Sequence, residues 1–469
     1  MTLDRPRQAS RRWSCGGGIS AGLLMSACLC AGALAQPALE NRSGATAASW
    51  PVRPEVDRAF ARLLGAPAIS DLLEAVKADH ARATDDLRRL TEIEAPPFRE
   101  QARAQAFLAR MKTLGLPDAF IDGEGNVVGL RKGVGSARGR GPKLLVSAHL
   151  DTVFPSGTDV RVQERDGRLY APGISDDTRG LAVLLSWIKV LHDRDIATVG
   201  DLLFVGSVGE EELGNLRGMK RLFAEHRDID GMVGLEPAGD GMVIVSGTAS
   251  RRHEVTFEGP GGHSYADFGQ VPSAIHGMGR AIAKIADIRP PGYPRTTFTI
   301  GTASGGSSVN TIAAQARMAV DIRSNGMPAL ARTERRILSA IDAAVADENR
   351  RWGVDTLVAS VRLIGDRPGG RTPSDTPIVE AAMRANTAFG LRTTLVGAST
   401  DANVAMALGV PAIVVGSGGE TGGFHSLGEW IDLTDAWIGA QRSLLTVLAL
   451  AGVEGVSNPL LPRRPPRAP

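Results

Sequence analysis

The stretch Leu144-Leu145-Val146-Ser147-Ala148-His149-Leu150-Asp151-Thr152-Val153-Phe154-Pro155 decides how the rest of the chain is read. An apolar run about as long as a buried strand ends in a histidine and an aspartate two residues apart. Positions i and i+2 of an extended backbone point the same way, so His149 and Asp151 can act together at the strand's carboxyl end. Open α/β sheets bind their ligands at that end. Two readings stand here: a hydrogen-bonded loop, or a metal site whose neutral imidazole binds the ion while the aspartate takes its other N–H.

Outward from this stretch the pattern recurs. Ala171 to Ala182 leads into a helix whose Leu181, Leu184, Leu185, Ile188 and Leu191 fall at helical spacing. Asp176 and Asp177 occupy the turn before it, as a helix cap or as ligands. The strand Leu202–Val208 runs into Gly209-Glu210-Glu211-Glu212-Leu213-Gly214-Asn215. Three consecutive carboxylates repel one another, so either cations compensate them or a solvated helix starts there. The strand Met232–Leu235 ends at Glu236-Pro237, and a glycine-rich loop after strand Ala412–Gly416 carries His425. Solubility does not explain several strands ending in histidine or carboxylate.

The 469 residues, 43% hydrophobic with a formal net charge of +2, suffice for two domains with cores and give no sign of nucleic-acid binding. Amphipathic helices are expected over about Ile69–Ile93 and Arg99–Leu114, broken by Glu94-Ala95-Pro96-Pro97, followed by the strand Val127–Arg131. The character changes near Ser246. Strand His253–Glu258, helix Pro272–Asp287, strands Thr296–Thr302 and Arg317–Arg323, helix Ala329–Ala346 and strand Leu357–Ile364 suggest a small α+β insert. The α/β pattern resumes with helix Thr376–Phe389 and closes with helix Thr434–Ala451. The expected division is 36–246 and 367–455 for the main domain, 247–366 for the insert, and 456–469 for a disordered Pro/Arg tail.

Residues 1–35 read as a cleaved export signal. Arg5, Arg7, Arg11 and Arg12 precede a small-residue apolar stretch that ends in Ala33-Leu34-Ala35, and Ser10-Arg11-Arg12-Trp13 partly matches a twin-arginine signal. The expected location is the periplasm or the medium, with Met25-Ser26-Ala27-Cys28 leaving a lipid anchor open. All three cysteines, Cys15, Cys28 and Cys30, lie in this leader. The mature chain therefore has no thiol, and any metal must sit on histidine and carboxylate.

Two histidines and several carboxylates suit a two-metal hydrolytic site. The chain resembles the zinc-dependent exopeptidase and deacylase family of glutamate carboxypeptidase, tripeptidase T, acetylornithine deacetylase and aminoacylase. The resemblance covers roughly residues 55 to 455. It rests on Ala-His-Leu-Asp-Thr-Val, Asp-Asp-Thr-Arg-Gly, Glu-Glu-Leu-Gly, Leu-Glu-Pro, Gly-Gly-His-Ser, Asp-Ile-Arg-Ser and His-Ser-Leu-Gly-Glu, in that order. It implies a mixed-sheet α/β catalytic domain sandwiched by helices, with an inserted α+β lid that also makes a homodimer. It also implies two divalent ions, most often Zn2+, with Co2+ or Mn2+ as alternatives.

Carried over by motif, His149 and Glu236 would hold one metal, Glu212 and His425 the second, and Asp176 would bridge them, across a cis peptide to Asp177. Asp151 would orient His149 and Glu211 would be the general base; the motif register Glu-Glu-x-Gly leaves Glu210 a bystander. His263, in a loop where a histidine is otherwise a surface residue, would reach across the dimer to polarise the scissile carbonyl. Asn310 and Arg323 would hold the substrate, Arg323 through a free carboxylate. Ala-His-Leu-Asp-Thr-Val-Phe-Pro and Ser-Thr-Asp-Ala-Asn look nearest the tripeptidase-like branch. Small peptides are thus the expected substrates and N-acyl amino acids the alternative; a catalytically dead binding protein is a third reading, disfavoured because every expected position is filled.

Overall fold

The computed structural model describes residues 51–135 and 141–468. The expected leader, 1–35, lies outside them. A nine-stranded mixed sheet organises the main domain. Its centre is four mutually parallel strands in the spatial order Asp201–Ser207, Lys143–His149, Gly231–Glu236 and Ala412–Gly416. Antiparallel strands flank them, Val127–Arg131 on one side and Met242–Gly247 on the other. The sequence reading missed Met242–Gly247 and its parallel partner Thr394–Ala398.

The apolar run Leu144–Ala148 is buried on both faces, as a strand covered by helices on either side must be. Leu144, Val146 and Ala148 join the larger core with Trp187, Phe204 and Leu444. Leu145 points the other way, to Leu203, Met219, Phe223 and Val410. The helix expected over Ile69–Ile93 is two helices, Pro67–Ala78 and His80–Thr91. The chain bends at Asp79, whose carboxylate accepts from Arg82 and from Ser186 Oγ at 2.7 Å instead of facing solvent. Prolines open the helices Pro54–Gly65 and Pro67–Ala78 at their first positions, where a missing N–H costs nothing.

The insert is a separate four-stranded antiparallel sheet, in the order Thr296–Gly305, Gln315–Ser324, Ala249–Glu258 and Val358–Arg367. Helices Ala274–Ala286 and Met327–Trp352 cover one face, burying Val255, Phe257, Met318, Val320 and Ile322. Asp321 and Arg323 point to the opposite face.

The tail corrects an expectation. Composition predicts disorder for 456–469, yet Leu461 is buried in the main core, Arg464 N donates to Asp230 at 2.5 Å, and the Arg467 guanidinium lies 4.9 Å over the Phe223 ring. Apolar and stacking contacts hold a segment whose composition alone gives no core. Among the described residues, no helix is long and apolar enough to cross a membrane.

Candidate metal centre

Because the four central strands are parallel, their carboxyl ends share one edge of the sheet, and the acids and histidines gather there. His149 ends its strand and is almost fully buried. Its Nε2 lies 3.0 Å from Asp176 Oδ1 and 3.8 Å from Glu236 Oε2. His425 comes from the loop between Glu420–Gly422 and Trp430–Asp432, strands of a small second sheet that also contains Arg168–Tyr170. Its Nε2 lies 3.3 Å from Asp176 Oδ2 and 3.3 Å from Glu211 Oε1. Two triads, His149–Asp176–Glu236 and Asp176–Glu211–His425, therefore share Asp176. Within each, one ligand atom per residue lies within 4.8 Å of the others.

The supporting contacts sort the two aspartates. Asp177 caps the helix Thr178–Asp193, accepting from Gly180 N at 3.2 Å, and its other oxygen accepts from His149 N at 3.1 Å. The cap reading thus belongs to Asp177 and the ligand position to Asp176. The peptide joining them is cis. Glu429 holds the loop from behind: its buried carboxylate accepts from Gly173 N at 3.1 Å, Ser175 N at 2.8 Å, Ser175 Oγ at 2.6 Å and Asp176 N at 3.0 Å.

Asp151 also acts differently from the expectation. The closest group to His149 Nδ1 is its main-chain carbonyl, at 2.9 Å, while its carboxylate stands 3.8 Å away. A proton on Nδ1 donated to that carbonyl leaves the Nε2 lone pair, which faces the acids, free to bind a cation. The carboxylate accepts from Glu210 N at 3.1 Å and Glu211 N at 2.7 Å, and so fixes the acidic loop.

The register of that loop is a correction. Glu212, expected to be a ligand, is exposed and lies outside every His/acid group in the cluster, with a left-handed φ of 43° that turns it from the sheet edge. Glu210 and Glu211 are buried and both face His149. The ligand position expected at Glu212 therefore falls to Glu211, and Glu210 takes the inward place expected of Glu211. Glu-Glu occurs twice in Glu-Glu-Glu, and no sequence signal reports the backbone angle that separates the two registers.

The charge balance is that of a site for cations. Burial drives the carboxyls of Asp177, Glu210 and Glu236 well above their ordinary range, with neighbouring acids adding to the rise. Burial opposes a proton on His149, but Asp176 and Glu236 outweigh it and raise that proton's hold. Hydrogen bonds to Asp176 and Glu211 push His425 up to about 10. So many buried acids require compensating positive charge. An oxygen and imidazole donor set without thiol fits divalent ions such as zinc, cobalt or manganese.

The lid residues stand apart. His263 is exposed on the short strand Gly262–His263, its Nδ1 accepting from Tyr265 N at 3.2 Å and Ala266 N at 3.3 Å. Asn310 Oδ1 accepts from Ser308 Oγ at 2.6 Å, and Arg323 Nε donates to Asp321 at 2.7 Å. Among the described residues, no hydrogen bond or ion pair joins these three to the cluster. Arg367, Glu429 and Asp401 were not assigned from the sequence, although Glu429 and Asp401 stand inside the quoted His-Ser-Leu-Gly-Glu and Ser-Thr-Asp-Ala-Asn. The Asp401 carboxyl is pushed up to about 6 by burial.

The profile of Peptidase family M20/M25/M40 matches residues 145–449, from the central strand to the last helix. The chain belongs to this family. Carboxypeptidase G2 of Pseudomonas sp. (strain RS-16) is 28% identical over 292 residues, 58% of this chain and 69% of the relative. Acetylornithine deacetylase of Myxococcus xanthus is 27% identical over 397 residues, 78% of this chain and 95% of the relative. Among solved structures, a Staphylococcus aureus tripeptidase superposes with a TM-score of 0.65 at 22% identity, over 79% of this chain and 98% of that one. A dinuclear metal binding peptidase of the M20 family from Bacillus subtilis gives 0.57 at 17% identity, over 79% and 98%. These two likenesses bear on the fold. The M20 protein described here is a hydrolase of the metallopeptidase and amidohydrolase kind, with a candidate site for two metal ions.

Proposed function

We propose that this M20 enzyme is an exported hydrolase that cleaves the amide bond of small peptides carrying a free carboxylate. The observation that carries the reading is the pair of triads sharing Asp176 at the carboxyl edge of the sheet. His149, Asp176 and Glu236 would hold one ion, and Asp176, Glu211 and His425 the other, with zinc the ion that best suits the donors. Bound there, such ions supply Lewis acidity and lower the pKa of water towards neutrality. Glu210 takes the proton of the attacking water and returns it to the leaving amine as the carbon–nitrogen bond breaks. Asp151 holds the backbone of Glu210 and Glu211 through its carboxylate. His263, lent by the lid of a second copy, donates to the developing oxyanion, while Asn310 and Arg323 grip the substrate.

A second reading, hydrolysis of N-acyl amino acids by the same residues, is favoured by the acetylornithine deacetylase match across 95% of that relative. The test is hydrolysis of trialanine beside N-acetyl-L-alanine by the metal-reconstituted protein, with a chelated control. Cleavage of the peptide alone supports the first reading, and cleavage of the acyl amino acid alone the second. Activity on neither overturns both.

A further inference from the structure

Arg367 has a buried guanidinium to which no role has been given. It ends the strand Val358–Arg367, by which the chain leaves the lid, and it is 5% exposed. Its Nη1 lies 3.2 Å from Glu210 Oε1 and 3.3 Å from Ser399 Oγ. Its Nη2 donates to the main-chain carbonyl of Glu210 and, at 3.4 Å, to that of Glu212. One planar fork thus grips the side chain and the backbone of the same glutamate, which a lysine's single ammonium does not reproduce.

The surroundings fix the fork in turn. Asp366 N donates to Asn215 Oδ1 at 2.8 Å, Lys220 Nζ to Asp366 O at 2.7 Å, and Asn403 Nδ2 to Pro368 O at 2.9 Å. The acidic loop, the lid's return strand and the Ser399–Asn403 segment therefore meet at this side chain. Glu210 sits beside Glu211 and has three rotatable bonds, so repulsion and entropy would both turn it out of the cluster. A fixed opposite charge that also donates hydrogen bonds holds a buried carboxylate against both.

We propose that Arg367 is a positioning residue for Glu210, holding one carboxylate oxygen and the loop carbonyl so that the other oxygen is presented to the reacting proton. The proposal rests on Glu210 being the base. Misplacing a reacting group by about 1 Å costs roughly 10²-fold in rate, so Arg367→Ala should lower kcat on trialanine by about that factor. KM and the content of two metals per chain should change little. Arg367→Lys should fall between Ala and wild type. In a Glu210→Gln background, Arg367→Ala should add almost no further loss, because the residue it acts through is gone. A crystal structure of the metal-loaded Arg367→Ala protein should show Glu210 rotated away from its present place.

A Glu210 unmoved in that structure overturns the proposal, and so does a kcat loss as large without Glu210 as with it. If the alanine variant does not fold, Arg367→Lys goes through the same cycle and the same structure determination, with the same criteria. If Glu210→Gln keeps near-normal turnover, the base reading fails, while the position of Glu210 in the variant structure still judges Arg367.

Discussion

Glu429 accepts a hydrogen bond from the backbone N–H of Asp176 at 3.0 Å, so the residue that joins the two triads is held by a carboxylate 253 positions away. The same oxygen also takes Ser175 N and Ser175 Oγ. An outer partner of this kind typically governs metal affinity about 10–100-fold, because it fixes the ligand it touches. Glu429→Gln replaces an acceptor facing two N–H groups with a group that has donors of its own. The variant should bind its metals at least about 10-fold more weakly. Equilibrium dialysis against a competing chelator measures this, and unchanged affinity would leave Glu429 a purely structural acid.

The three glutamates of the acidic loop should separate cleanly. Glu210→Gln should keep both metals and lose about 10²–10⁴-fold in kcat, the usual share of a general base. Glu211→Gln should lose one metal. Glu212→Gln should be close to wild type, since its side chain is exposed outside the cluster. Metal analysis beside kcat distinguishes all three, and an inactive Glu212→Gln would restore the Glu-Glu-x-Gly register.

On the lid, Arg323 and Arg252 both pair with Asp321, and Arg252 also reaches the Glu212 carbonyl of the acidic loop. Arg323→Ala should lower kcat/KM for trialanine by roughly 10- to 100-fold, the cost of a charge-assisted hydrogen bond. Trialanine amide should be far less affected. Equal losses on the two substrates would make Arg323 a scaffold residue.

His263 gives a test of assembly. If each lid lends His263 to a second copy, as proposed, then His263→Ala and Glu210→Gln mixed under subunit exchange should recover activity that neither has alone, because such a heterodimer would hold one site with both residues intact. At most about half of its sites can work under this two-fold arrangement. A mixture that stays dead despite exchange proven by mass spectrometry would place His263 in its own subunit's site or in none.

The lid should weaken in acid through Glu348. Burial disfavours its charge, but Arg280 Nε at 2.8 Å, Trp352 Nε1 at 3.0 Å and Ser273 N at 3.4 Å outweigh that and hold the carboxyl below its ordinary value of 4.5. A depressed folded-state pKa contributes stability that is present above the unfolded value and is lost as pH falls through the folded one. Glu348→Gln should therefore cost about 1–3 kcal/mol at neutral pH, and the gap from wild type should close on acidification below about 4.5. Urea unfolding of both proteins across that range is the measurement, and a gap that widens in acid would contradict the sign.

Local pattern by itself determined a good deal about this protein. An apolar run of strand length before His149 read as a buried strand, and Glu236 and the acidic loop stood at the ends of two more such runs. Helical spacing after Asp176-Asp177 put that pair in a cap position, and the changed rhythm after Ser246 marked a second sheet with its own helices. Each of these signals lies within a dozen or so residues, where side-chain periodicity reports which face is buried.

Tertiary structure alone decided the rest. Glu210 and Glu211 are buried while Glu212, with a left-handed backbone, is exposed, and the Asp151 carboxylate binds the acidic loop instead of the imidazole. Arg367 meets Glu210 across 157 positions, Glu429 meets Asp176 across 253, and Leu461 of the tail packs into a core built by distant segments. A residue's chemical type is written in the chain, but which oxygen it meets depends on loops closed over such distances, and no local pattern carries that information.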